Sequence, residues 1–123
     1  MIFGFVYLPY DAKDLPPSKE LVSLIKFSND QKLPLIIGCD ANAHHICWGS
    51  SNINDRGGAL LEYLVTTDMD ILNKGTKPTF VVSRRQEVID ISLVSGDIAP
   101  YIVGWRVSDE ESLSDHRYIQ FQV

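Results

Sequence analysis

The amino-acid sequence predicts an α/β domain with mixed, mainly antiparallel strands. Three observations carry this expectation. Short β-branched and aromatic runs recur along the chain, two segments space their apolar residues as helices do, and the last three runs alternate apolar with polar positions. The 123 residues suit one domain, spanning 1–123, with no internal repeat, low-complexity tract or linker to divide it.

Taken in order, residues 2–8 form an apolar, aromatic strand that stops at Pro9. Asp11 to Pro17 reads as a loop, because its Pro-Pro pair resists helix. Ser18 is a suitable N-cap, and Leu21, Leu24 and Ile25 recur at helical spacing, predicting a helix to about Asn29. Leu33 to Cys39 is a continuous apolar run of the kind buried on both faces of a sheet. Asp40 to Asp55 is polar and rich in Asn, His, Ser and Gly, a loop. Asn54 or Asp55 can cap a second helix whose stripe is Leu60, Leu61, Leu64 and Val65. Strands follow at Ile71–Asn73, Thr79–Val82 and Val88–Val94, the last with Ile89, Ile91 and Leu93 opposite Asp90 and Ser92. Tyr101, Val103, Trp105 and Val107 alternate again, as do Ile119, Phe121 and Val123.

Charge and composition set limits on function. Eleven Lys and Arg against sixteen Asp and Glu give a net charge of −5. This argues against a module held to nucleic acid by a broad basic surface, but not against an enzyme that recruits a divalent cation to a phosphodiester. No apolar run approaches the roughly 18–20 residues of a membrane span, and the apolar start lacks the basic region of a signal peptide. Two cysteines are too few for a disulfide scaffold and suggest a reducing compartment.

The chemistry-bearing residues fall at strand ends, where sites tend to form in α/β layers. Asp40 and Asn42 follow the buried strand, Asp90 sits on a strand, and Ser114-Asp115-His116 precedes the final strand. Singly, each is ordinary turn or surface chemistry. Together, two carboxylates, an amide and an Asp-His pair could bind a metal, orient water and stabilise phosphate charge.

This ordered set resembles the endonuclease/exonuclease/phosphatase family, and within it the apurinic-endonuclease-like domain of non-LTR retrotransposons. The matching stretches include Val6-Tyr7-Leu8-Pro9, Gly38-Cys39-Asp40-Ala41-Asn42-Ala43-His44-His45, Trp48-Gly49-Ser50-Ser51 and Asp55-Arg56-Gly57. They continue through Pro78-Thr79-Phe80, Ile89-Asp90-Ile91-Ser92-Leu93, Trp105-Arg106-Val107 and Leu113-Ser114-Asp115-His116-Arg117. The resemblance implies the C-terminal part of a four-layer α/β/β/α sandwich that hydrolyses a DNA phosphodiester, leaving a 3′-hydroxyl to prime reverse transcription. It further implies that Asp40 holds or deprotonates the attacking water while Asn42 orients it and contacts the phosphate. His116 would stabilise the phosphorane-like charge, with Asp90 fixing its tautomer, and Tyr7 would touch the scissile phosphate. Asp115 would help bind Mg²⁺ or Mn²⁺, with Asp40 a further candidate ligand. DNA is the implied partner, a reverse transcriptase domain the implied context, and the nucleus the implied place of action.

One departure goes with the resemblance. The family's domain begins with a half-sheet carrying an Asn and a metal-binding Glu, whereas this sequence starts at the Tyr strand. Glu20, Glu62, Glu87, Glu110 and Glu111 stand in other contexts. The expectation is therefore of weak metal binding, poor cutting, and an uncovered sheet face that favours self-association. A catalytically inactive retrotransposon-derived remnant or interaction module is the alternative. Other readings concern the loop. Cys39, His44, His45 and Cys47 could suit Zn²⁺ but lack paired spacing. His44 and Arg56 are candidates for DNA contact, and Arg84-Arg85 reads as a hairpin tip that could meet a phosphate backbone. Trp48 and Trp105 read as packing residues.

Overall fold

Ile2, Gly4 and Val6 point to one side of the first strand, and Phe3, Phe5 and Tyr7 to the other. That split defines the two faces of the main sheet. The computed structural model describes all 123 residues. Its elements are β1 (Ile2–Tyr7), α1 (Lys19–Gln31), β2 (Leu35–Asp40), α2 (Asp55–Leu64), β3 (Met69–Ile71), β4 (Phe80–Val82), β5 (Arg85–Glu87), β6 (Asp90–Ser95), β7 (Val103–Val107) and β8 (Ile119–Gln122). Two 3₁₀ turns lie at Ile46–Trp48 and Ala99–Tyr101.

The main sheet runs β1-β2-β6-β3, while β4–β5 and β7–β8 form two-stranded ribbons. Only β1 and β2 pair in parallel, the α1 crossover allowing it; the other pairs are antiparallel. The α/β class with mainly antiparallel strands is thus the one the sequence predicts.

Both helices begin on the predicted caps. The Ser18 hydroxyl accepts from Leu21 N at 3.2 Å, and Asn54 Oδ1 accepts from Gly57 N at 2.8 Å. Lys32, in the left-handed region, closes α1 two residues later than expected. Leu21 and Ile25 of α1 and Leu60 and Leu64 of α2 meet Leu35, Ile37, Ile91 and Leu93 in one buried core. Each such side chain contributes about 1.5–3 kcal/mol on burial. Val65 does not share that stripe: α2 ends at Leu64, and Val65 is its exposed C-cap.

Other boundaries also differ from expectation. The strand expected at Ile71–Asn73 lies at Met69–Ile71, and Tyr101 belongs to a 3₁₀ turn, exposed, because β7 begins at Val103. The run Val88–Val94 is not one alternating strand. Val88 and Ile89 join β5 to β6, and β6 is covered on both faces beyond Asp90.

The face away from the helices is only partly covered. Ile36, Val94 and Ile102 cluster there beneath Leu72, Ile98 and Phe121. Towards β1 the cover stops, leaving Phe5 93% exposed with Phe3 and Tyr7 beside it. A groove of about 680 Å³ runs between these aromatics and β8.

Candidate functional site

Sheet register brings three of the expected residues into one row. Tyr7 pairs with Asp40 across β1–β2, and Asp40 with Asp90 across β2–β6, all at strand ends beside the groove. His116 reaches the row from the β7–β8 connection, gripped by the β4 strand. Val81 N donates to Asp115 O at 2.8 Å, and Arg117 N to Thr79 O at 2.7 Å, one on each side of His116. The Phe80 ring meets the imidazole edge-on at 5.3 Å between centroids.

His116 lies between the two carboxylates. Its Nδ1 is 2.8 Å from Asp90 Oδ2 and its Nε2 is 3.6 Å from Asp40 Oδ2. Asp90 thereby holds the proton on Nδ1 and turns Nε2 towards Asp40. Partial burial acts to lower the His116 pKa, but the Asp90 hydrogen bond and the charges of Asp90, Asp40 and Asp115 outweigh it, so the value lies above 6.5. Desolvation, and then the charge of Asp90, raise Asp40 above its ordinary value against the opposing pull of His116. A histidine raised on folding stabilises the fold fully below its unfolded pKa of 6.5, and loses that contribution as pH rises through its folded value. Thermal midpoints measured from pH 6 upward are therefore expected to fall through this window in the native chain, and to fall less in His116→Ala.

Asp40 Oδ1 is buried and has no hydrogen-bond partner. Asp40, Asp90 and His116 offer ligand atoms within 4.8 Å of one another. Asp90 is already engaged with His116, so the orphaned Asp40 oxygen is the donor that best fits a hard divalent cation. Asp115 is exposed and does not join this cluster, though its charge acts on His116.

The remaining candidates are placed differently. Asn42 has φ +46°, a conformation asparagine tolerates, and its Nδ2 donates to Leu8 O at 3.0 Å. Arg56 directs its guanidinium at the carbonyls of Leu8, Ala41 and Asn42, bracing the loop after β2. His44 joins the Asn52 side chain through Nδ1 at 2.6 Å and Arg85 through Nε2 at 3.0 Å. Arg84 lies in the turn of the β4–β5 hairpin, while Arg85 opens β5 and lies over the Phe80 ring. Cys39 is buried, its thiol pushed up to about 12, chiefly by desolvation, and Cys47 is exposed on a 3₁₀ turn, so the two do not converge with His44 and His45. Both tryptophans are buried and bonded, Trp48 Nε1 to Ala43 O and Trp105 Nε1 to Ser92 Oγ.

Two residues of the site's framework carry no signal that single-residue chemistry would flag. Buried Thr79 accepts from both Ile89 N and Asp90 N through Oγ1, each at 3.1 Å. Glu87 is buried, and its carboxylate accepts from Ser51 N, the Ser51 hydroxyl and Val88 N. Burial alone would raise its pKa; these hydrogen bonds and nearby His44 hold it below the ordinary carboxylate value. Only the Pro78-Thr79-Phe80 stretch drew attention to Thr79 in advance.

This fold has a solved counterpart. The endonuclease domain of TRAS1, a telomere-specific non-LTR retrotransposon, superposes with a TM-score of 0.80 at 32% identity. The match covers 95% of this chain and 54% of that one, so this chain spans about half the length of the solved domain. Its fold is that of a retrotransposon endonuclease domain. The sequence pattern of the endonuclease-reverse transcriptase family matches residues 1–120, and the chain belongs to that family. No curated protein matches it.

Proposed function

We propose that this chain carries the hydrolytic residues of a metal-dependent DNA endonuclease that nicks its target for reverse transcription, in the nucleus. The observation that carries this reading is the Asp90–His116–Asp40 array at the mouth of the groove. Asp90 orients the imidazole, and its charge favours the protonated ring. Protonated His116 offsets the negative charge that grows on an attacked phosphodiester. Asp40, whose affinity for a proton is raised, accepts one from the attacking water. Tyr7, paired with Asp40 in the row, would touch the phosphate, and Asn42, two residues beyond Asp40 with its amide donating to Leu8 O, would have to release that bond to orient it. Asp40 Oδ1 would hold Mg²⁺ or Mn²⁺, which when bound would supply further positive charge against the phosphate, while the exposed Asp115, outside the cluster, acts through its charge on His116. The β4–β5 hairpin, with Arg84 in its turn and Arg85 beside His44, offers cations to the DNA backbone.

Only one unpartnered buried carboxylate oxygen serves the cation, so weak metal binding and slow nicking are expected of the chain alone. Conversion of supercoiled plasmid to open circles, with Mg²⁺ and with chelator, tests the reading. Slow nicking lost on chelation and in Asp40→Asn is the expected result. Nicking that survives both would overturn it.

The aromatic face of β1 supports a proposal of self-association. Sedimentation velocity is expected to show concentration-dependent dimers that Phe5→Ser disperses. A strictly monomeric native chain at tens of micromolar would contradict this.

A further inference from the structure

Where β3 ends, the edge of β6 beside it should be left bare. The last backbone rung is Leu72 N to Ser92 O at 2.8 Å, after which the chain turns away towards Gly75. Asp90 O and Ser92 N still face that edge, and the Asn73 side chain takes both. Its Oδ1 accepts from Ser92 N at 2.8 Å, and its Nδ2 donates to Asp90 O at 2.9 Å. A second Nδ2 hydrogen reaches Trp48 O at 3.3 Å. The carboxamide thus acts as one further peptide unit of β3, and it ties the Trp48 turn to β6. Thr79 Oγ1 meets Asp90 N on the same edge. Both backbone groups of Asp90 are therefore held by side chains, where no strand is present to hold them.

We propose that Asn73 is a positioning residue that sets the height of Asp90 against His116. The Asp90–His116 contact of 2.8 Å depends on where β6 stands at its first residue. Without the carboxamide, Asp90 O and Ser92 N lose their partners, and the strand end shifts or admits water to satisfy them. Asn73→Asp keeps the shape and the acceptor for Ser92 N, but turns an acceptor on Asp90 O and Trp48 O. It should disturb the site as much as Asn73→Ala does.

The test has two arms, and only the kinetic arm rests on the nuclease reading. In the DNA-free chain, the NMR resonance of the His116 Nδ1 proton shared with Asp90 is compared between the native protein and both variants. It is expected to move or to be lost to solvent exchange, while amides of α1 and of the β1–β2 pair keep their positions. A merely structural role would lower the melting temperature but leave this resonance in place in the folded variants, and that result would overturn the proposal. In plasmid nicking, kcat is expected to fall about 10- to 100-fold with KM within about twofold, since small misplacements of a reacting group act on the chemical step. An unchanged kcat would overturn it equally. Should Asn73→Ala fail to fold, Asn73→Ser replaces it with the same two readings. If the native chain does not nick DNA, the nuclease reading fails and the resonance alone decides the role of Asn73.

Discussion

His116→Ala is expected to abolish measurable Mg²⁺-dependent nicking, a loss of about a thousandfold or more. The imidazole stands between the two acidic groups of the row and faces the groove, and nothing else in the row can present a cation. Its side chain is about one-third exposed, so its removal opens no core cavity. Circular dichroism should therefore match that of the native chain while the rate collapses. Asp90→Asn supplies a graded comparison. The amide keeps the volume but brings no charge to favour the protonated ring, so activity should fall by less than in His116→Ala, and its optimum should shift to lower pH. A His116→Ala variant that nicks at a tenth of the native rate would remove His116 from the mechanism.

Gly57→Ala is expected to be the most disruptive small substitution in the chain. A Cβ at Gly57 would lie 1.7 Å from His44 O and 2.5 Å from His44 C, a backbone that cannot swing aside. The same junction is bonded twice more. Asn54 N donates to His44 O at 3.1 Å, and Asn54 Oδ1 accepts from His44 N at 3.0 Å. Relief of the clash must push the first turn of α2 off the loop, and Arg56 loses its carbonyls with it. A cost of about 3 kcal/mol or more follows, lowering the thermal midpoint by about 10 °C. Gly58→Ala is the control one residue on. Nothing lies within 4 Å of its Cβ, so it should stabilise α2 by about 0.5–1 kcal/mol through helix propensity alone. Equal midpoints for the two variants would refute the account of the junction.

Much of the site was legible because titratable residues at strand ends announce themselves. Asp40, Asp90 and His116 are of that kind, and the sheet register places the two aspartates side by side. The contact between Asp90 and His116, twenty-six residues apart, depends on the β4 hairpin gripping the loop around His116. No local pattern encodes that grip. The bonding roles of Thr79, Glu87 and Asn73 were not legible for a related reason. They replace missing backbone partners, and which partners are missing is known only once the strands have ended. Arg56 shows the converse. A cation beside a polar loop suggested a DNA contact, whereas its donors meet three carbonyls of the chain itself. Among the elements, both helix starts were fixed by capping chemistry, while the helix ends and short strands shifted by one or two residues.

The sheet order also bears on how the protein is made. β2 lies between β1 and β6, and its partner residues in β6 are fifty or more positions away. Leu35 N, at the start of β2, finds its acceptor on Ser95, sixty residues later. Contacts of this span form slowly, because a long loop must close before any of them is rewarded. On a ribosome, β2 therefore emerges with the edge that pairs with β6 unfilled until residue 95 has been synthesised and released. During that interval the apolar run of β2, buried once the sheet closes, is open to other chains, and the yield of folded protein should depend on translation rate and temperature.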